Sequence, residues 1–211
     1  MTIATYSQLQ TSIEDFLERA DLTARVPDFI TMAEAKFNRV LFVPQMEGRS
    51  VTSIDTTSTD PEFISLPVDF QSMERLRLSS VTGKPVLEYR SGKQVDEYRT
   101  MIDNVTGQPR FFTVMGTELE LCPTPVSNYV LEMFYRKTVP PLASNSTNWL
   151  LLLAPDVYMY GSLVEAAPFM GEDPRIALWQ GAFDKAIAEL NGLGIASEGD
   201  AKPIRAAAGA R

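Results

Sequence analysis

The residues of this chain best suited to chemistry are carboxylates, which occur in pairs at Glu14-Asp15, Glu118 with Glu120, and Glu172-Asp173 among other places. Two neighbouring carboxylates can act as general acid and general base when their surroundings push their pKa values apart. The setting of each pair argues against that here. Glu14 and Asp15 fall on the polar face of a helical pattern. Glu118 and Glu120 alternate with Leu119 and Leu121, which places both acids on the outer face of a hairpin. Glu172 and Asp173 stand at a helix start, where negative charge offsets the helix dipole. Other chemistries lack their parts. The chain of 211 residues has no histidine, which removes His-based triads, His bases and nearly all common zinc sites. A serine nucleophile would then need a lysine base, yet no Ser-x-x-Lys occurs and Ser91-Gly92-Lys93 has the wrong spacing. Gly192-Leu193-Gly194 follows a helix instead of a strand and is no phosphate loop. Cys122, the sole cysteine, can form no internal disulfide; it suits a reducing compartment and reads as a small core residue. No catalytic, cofactor-binding or metal-binding residue is assigned. An enzyme would have to work with carboxylates alone, and Glu118 with Glu120 would be its best site.

Charge narrows the choice of partners. A net charge of −8 argues against sequence-independent grip on DNA, which rests on Lys and Arg neutralising phosphates. It is compatible with DNA passing close by, because a like-charged wall does not hold it. Arg75, Arg77, Arg90, Lys93 and Arg99 could gather into a basic patch, but salt-bridged surface is the reading we favour. The start, MTIATYSQLQ, has neither the basic end nor the apolar core of a signal peptide.

The elements that must position these side chains fall into three blocks. Thr5 and Gln8 form a capping box, and the following helix carries Tyr6, Leu9, Ile13, Phe16 and Leu17 on one face. A second helix, from about Thr23–Pro27, places Phe29, Ala33, Phe37 and Leu41 at steps of four and stops at Pro44. Alternation then replaces helical spacing. Strands are expected at 49–55, 62–66, 73–78 and 85–89, and Ser91 with Gln94 opens a short helix carrying Val95, Tyr98 and Ile102. A hairpin at 111–122 turns on Gly116-Thr117, and the longest strand spans 129–137.

The third block is organised by Asn148–Met170, the densest apolar run. Pro155 suits the first helical position with Asp156 beside it, and from there to Ala167 only Ser162 and Glu165 are polar. A helix apolar nearly all round is buried on more than one side, and a neighbouring subunit is one way to bury it. The run breaks at Pro155 and Asp156, too soon for a membrane span. Pro168 and Gly171 are expected to end it. Asp173 and Pro174 open a last helix with Ile176, Trp179, Phe183, Ala186, Ile187 and Leu190, which ends at 191–194. The fold expected is α+β: a helical bundle from residues 1–45 and 138–194, an inserted antiparallel β-rich domain at 46–137, and a C-terminal extension at 195–211.

Two stretches carry a resemblance. Tyr6-x-x-Leu9-x-x-x-Ile13-x-x-Phe16-Leu17-x-Arg19-x-Asp21-Leu22 leads into Arg25-x-Pro27-x-Phe29-Ile30-x-x-Ala33-Glu34-Ala35-x-x-Asn38-Arg39. The second runs Asn148-Trp149-Leu150-Leu151-x-x-Ala154-Pro155-Asp156-x-Tyr158-x-Tyr160-Gly161-x-x-x-Glu165-Ala166-Ala167, and Gly107-x-Pro109-Arg110-Phe111-Phe112 lies between them. Together they resemble the portal-to-tail adaptor, or head-completion, proteins of short-tailed bacteriophages. The resemblance implies a virion protein made in the host cytoplasm. It implies a ring of twelve copies at the head–tail junction, with the portal protein above, tail or nozzle proteins below and DNA passing through the channel. It also implies that the C-terminal segment docks on the portal, through Pro203, Ile204, Arg205 and Arg211. Subunit packing would fall to Trp149, Tyr158, Tyr160 and Gly161. The competing reading from a different class is a monomeric protein-binding module that grips a partner with its β insertion.

Overall fold

The computed structural model of the chain describes residues 3–103, 106–171 and 173–199. It mixes helix and sheet, in keeping with an α+β fold. The chain divides into two compact units, one holding the residues up to Met46 and from Val139 onward, the other Glu47–Thr138.

The first unit is helical. Helix α1 (Tyr6–Leu17) opens on the expected capping box: the Gln8 N–H donates to Thr5 Oγ1 at 3.3 Å and the Thr5 N–H to Gln8 Oε1 at 3.2 Å. Leu9, Ile13 and Leu17 are buried, but Phe16 on the same stripe is 50% exposed, because it borders an open groove. Glu18 ends the helix in the left-handed region at φ 52°. After a 3-10 turn at Ala20–Arg25, α2 (Val26–Val40) takes Pro27 in its first turn and buries Phe29, Ile30, Ala33, Glu34 and Phe37.

The apolar run resolves into two helices. Asn148 caps α4 (Trp149–Leu153), its Oδ1 accepting from the Leu151 N–H at 2.9 Å, and α5 (Pro155–Met170) follows after Ala154. The expected break at Pro168 does not occur. Pro168 lies in the last turn of α5, where its missing N–H leaves only one carbonyl of the preceding turn without its helical donor, and Gly171 at φ 66° ends the helix. Helix α6 (Arg175–Gly199) also outruns its expected end at 191–194. Glycine in a helix costs only about 1 kcal/mol relative to alanine, and its N–H still joins the ladder.

Helix α5 packs on α1, α2, α4 and α6. Val157, Tyr158, Met159, Gly161, Ser162, Leu163 and Ala166 are buried, so the chain's own helices cover most of this apolar element. Its composition is that of a central helix, and the helices of its own unit supply most of its cover. The apolar surface left over is at the margins: Leu152 and Leu153 in α4 and Phe169 near the end of α5 are exposed.

The second unit holds two sheets and one helix. Strands β1 (Glu47–Ser53), β3 (Phe70–Leu78) and β7 (Val130–Lys137) form an antiparallel sheet in the order β1-β7-β3. Strands β2 (Phe63–Ser65), β6 (Glu118–Cys122), β5 (Phe111–Met115) and β4 (Glu88–Tyr89) form the other in that order, with β4 parallel to β5. Helix α3 (Gly92–Met101) starts at the Ser91/Gln94 capping box and buries Val95. Leu76, Leu78, Leu131, Met133 and Tyr135 from one sheet meet Phe112, Leu119 and Leu121 from the other in one apolar cluster.

Candidate functional site

The described carboxylates of these pairs stand in different settings. Asp15 is exposed and Glu14 half-buried on α1, and Asp173 is occupied by Arg175, whose Nη2 lies 2.9 Å from its Oδ2. Glu172 lies outside the described residues. Glu118 is exposed as expected, but Glu120 is buried, which corrects its placement on an outer face. β6 lies between β2 and β5, and Arg99 of α3 reaches it: Arg99 Nη1 sits 2.8 Å from Glu120 Oε1. Burial raises the Glu120 carboxyl while Arg99 opposes that rise. Cys122 is buried, and burial pushes its thiol up while Arg99 opposes that rise. Among the described residues no group of three or more Cys, Asp or Glu side chains could hold a metal ion, and no helix is long and apolar enough to cross a membrane.

Four residues were expected at subunit contacts, and they separate into two kinds. Tyr158 is fully buried, and Gly161 faces α2 and α6 so closely that a Cβ there would lie 2.7 Å from Phe37 Cε1 and 3.2 Å from Phe183 Cε2. Both pack in the protomer's own core. Trp149 and Tyr160 are half-buried and keep surface to offer. Pro203, Ile204, Arg205 and Arg211 lie outside the described residues.

Sequence reasoning missed a polar network inside the helical unit. Glu34 Oε1 accepts from the Leu142 N–H at 2.8 Å and from the Tyr158 hydroxyl at 3.1 Å. The Tyr158 oxygen in turn accepts from Asn148 Nδ2 at 2.6 Å, and Nδ2 also donates to the Pro140 carbonyl at 2.7 Å. These bonds tie the 139–148 connection to α2 and α5. Burial pushes the Glu34 carboxyl upward, with its two hydrogen bonds opposing, and pushes the Tyr158 phenol well above its ordinary range. A signal was present. Glu34 lies four residues after Ile30 and three before Phe37, in phase with the apolar stripe of α2.

A second arrangement lies on the sheet of the other unit. Arg49 and Arg77 each donate through Nε to a separate oxygen of Glu132, which is only 3% exposed. Those hydrogen bonds hold the Glu132 carboxyl down at about 2. Arg75 stacks over Phe134 at 4.3 Å, with Arg77 over the same ring at 5.0 Å. The register makes rows of these contacts: Arg49 and Arg75 both oppose Phe134, while Val51 and Arg77 both oppose Glu132. Of the five basic residues considered from sequence, Arg77, Arg90, Lys93 and Arg99 are paired with Glu132, Glu88, Glu97 and Glu120, which dissolves the single patch. Arg49, on β1, belongs with Arg75 and Arg77 instead of Arg90 and Lys93.

The helical unit also carries an open groove of about 340 Å³ between α1 and α5. Ser12, Asp15 and Phe16 line one side, with Ile3, and Pro155, Asp156, Met159 and Tyr160 the other. This groove offers binding surface on the helical unit. No curated protein matches the chain. The family model described as SU10 adaptor protein matches residues 4–207, nearly the whole length, and the chain therefore belongs to this family of bacteriophage adaptors.

Proposed function

We propose that this chain is one subunit of a non-enzymatic adaptor ring that joins the portal of a short-tailed phage to its tail and continues the DNA channel. The observation that carries this reading is the family match over residues 4–207. In it the helical unit is a bundle forming the ring body, and the β-rich unit is an insertion directed at the tail or nozzle proteins. Trp149 and Tyr160, half-buried on the helical unit, serve packing between copies, with Tyr158 and Gly161 shaping the helix behind them. The net charge of −8 supports a channel wall on which DNA slides without adhering. Pro203, Ile204, Arg205 and Arg211 serve as the portal anchor, Ile204 as the apolar contact and the arginines as charge partners.

The test mixes the purified chain with a portal ring and images the product. Rings of twelve copies seated on the portal are expected. A chain that remains unbound and monomeric would overturn the reading in favour of a monomeric binding module. Deletion of 201–211 is expected to leave the fold intact and weaken portal attachment; attachment at the wild-type level would remove the docking role.

A further inference from the structure

Two faces of this chain complement each other in charge and in apolar content, although each belongs to a different unit. The outer face of the β1-β7-β3 sheet presents a row of Arg49, Phe134 and Arg75. The side chain of Arg49 is 60% exposed and holds Glu132 through its Nε. Arg75 is exposed, stacked on Phe134, and has no carboxylate within ion-pair distance among the described residues. On the helical unit, the groove between α1 and α5 has the opposite make-up. Asp15 and Asp156 stand at it with no ion pair among the described residues, and Phe16, Met159 and Tyr160 line it.

We propose that the Arg49–Phe134–Arg75 row of one copy docks in the Asp15/Asp156 groove of an adjacent copy. This rests on the ring reading and names the two surfaces by which neighbours would meet. An arginine suits such a site: its stem lies along apolar surface, its guanidinium stacks on an aromatic ring and pairs with a carboxylate in a fixed planar geometry. Glu132 and Phe134 already hold Arg49 and Arg75, so less side-chain freedom is lost when the partner arrives. A contact between two different surfaces of the same chain is heterologous, the kind that closes a ring when its rotation permits. A nucleic acid is the weaker occupant for the arginine row. Duplex binding by charge draws on about six or more phosphate contacts, whereas this row offers two exposed arginines on a chain of net charge −8.

Charge exchange in the full-length chain tests the pairing. Arg75→Asp and Asp15→Arg change exposed side chains that hold no ion pair, so circular dichroism and melting should match the wild type. Each single variant is expected to weaken self-association roughly tenfold or more in sedimentation at about 50 mM salt. The double variant Arg75→Asp/Asp15→Arg restores opposite charge across the contact and is expected to recover assembly to within about threefold of wild type. Assembly of both singles at the wild-type level, or a folded double variant no better than the singles, would overturn the pairing and leave the ring standing. A wild type that forms no oligomer, alone or on a portal ring, would remove both. Binding of a DNA duplex that Arg75→Asp abolishes, with self-association unchanged, would reassign the row to nucleic acid and overturn the proposal.

Discussion

Glu34 in the helical unit and Glu132 in the β unit are almost equally covered, at 6% and 3% exposure, yet their surroundings drive their carboxyls in opposite directions. Two guanidiniums cover Glu132 on an otherwise open sheet face, and their hydrogen bonds hold it down at about 2. Glu34 sits among helices with neutral donors only, the Leu142 N–H and the Tyr158 hydroxyl, and burial raises it. Low exposure alone therefore says little about a carboxylate; its depth in the fold and the charge of what covers it act together. The helical unit uses its glutamate as an internal pin for the 139–148 connection. The β unit uses its glutamate to organise two arginines, of which Arg49 stays mostly exposed.

The sharpest way to test that contrast is to break the helical packing itself. Gly161→Leu would push at least three atoms beyond a Cβ already 2.7 Å from Phe37 Cε1. A loss of about 3 kcal/mol or more is expected, from overpacking in a close-fitted core. Trp149 and Trp179 are the chain's two tryptophans and both lie in the helical unit, so their fluorescence during melting reads this unit specifically. A variant that melts with the wild type would mean that Phe37 and Phe183 yield readily. Tyr158→Phe comes next, at about 1–3 kcal/mol, because it removes a donor to Glu34 and an acceptor from Asn148 in a buried site. Glu34→Gln should cost less than Tyr158→Phe, since both bonds reach Oε1, which an amide oxygen can replace. The reverse order would show that the negative charge itself holds the network together.

The pH response should then separate the two units. Glu34 is raised in the folded chain, so its contribution is fully present below the unfolded value, about 4.3, and is lost as pH rises through the folded value. Glu132 is depressed, so its contribution is present above that unfolded value and is lost as pH falls toward about 2. Raising the pH from about 4.3 should therefore lower helical stability read by tryptophan emission, and Glu34→Gln should flatten that slope. Lowering the pH below it should loosen β7, read by amide exchange corrected for intrinsic rates, and Glu132→Gln should flatten that response instead. Parallel slopes in the two readouts would dissolve the contrast.

Much of the fold could be read from local spacing, because capping boxes and alternation act over a few residues. Thr5/Gln8, Ser91/Gln94 and the Phe111–Cys122 hairpin stand as expected. What could not be read depends on partners far along the chain. Glu120 looked solvated on its own hairpin, and only Arg99, brought over by α3, makes its burial possible. Glu132 looked like the polar member of an alternating strand until β1 and β3 placed arginines on both sides of it. The all-round apolarity of α5 was plain, but not whether α1, α2 and α6 or another copy would cover it. Glu34 was the exception: its phase within the α2 stripe was visible, and a glutamate at that step called for a buried donor.

The smallest effect expected concerns the apolar residues that the helical unit leaves outside. Leu152 and Leu153 are exposed on α4, directly after Leu150 and Leu151, which are fully buried. Four identical side chains in a row thus divide between core and surface, because a helix turns about 100° per residue and only one side of α4 meets the unit. Leu152→Ser and Leu153→Ser should each change stability by no more than about 0.5 kcal/mol, as surface substitutions do. Leu150→Ala or Leu151→Ala should cost about 2–5 kcal/mol, the range for a buried leucine truncated in a packed core. Melting followed by tryptophan emission distinguishes the pairs. If the serine variants lose as much stability as the alanine variants, Leu152 and Leu153 belong to the core in solution. If they melt as wild type while rings on the portal fail to form, these two leucines are surface reserved for assembly, and the helical unit too leaves something for a neighbour to cover.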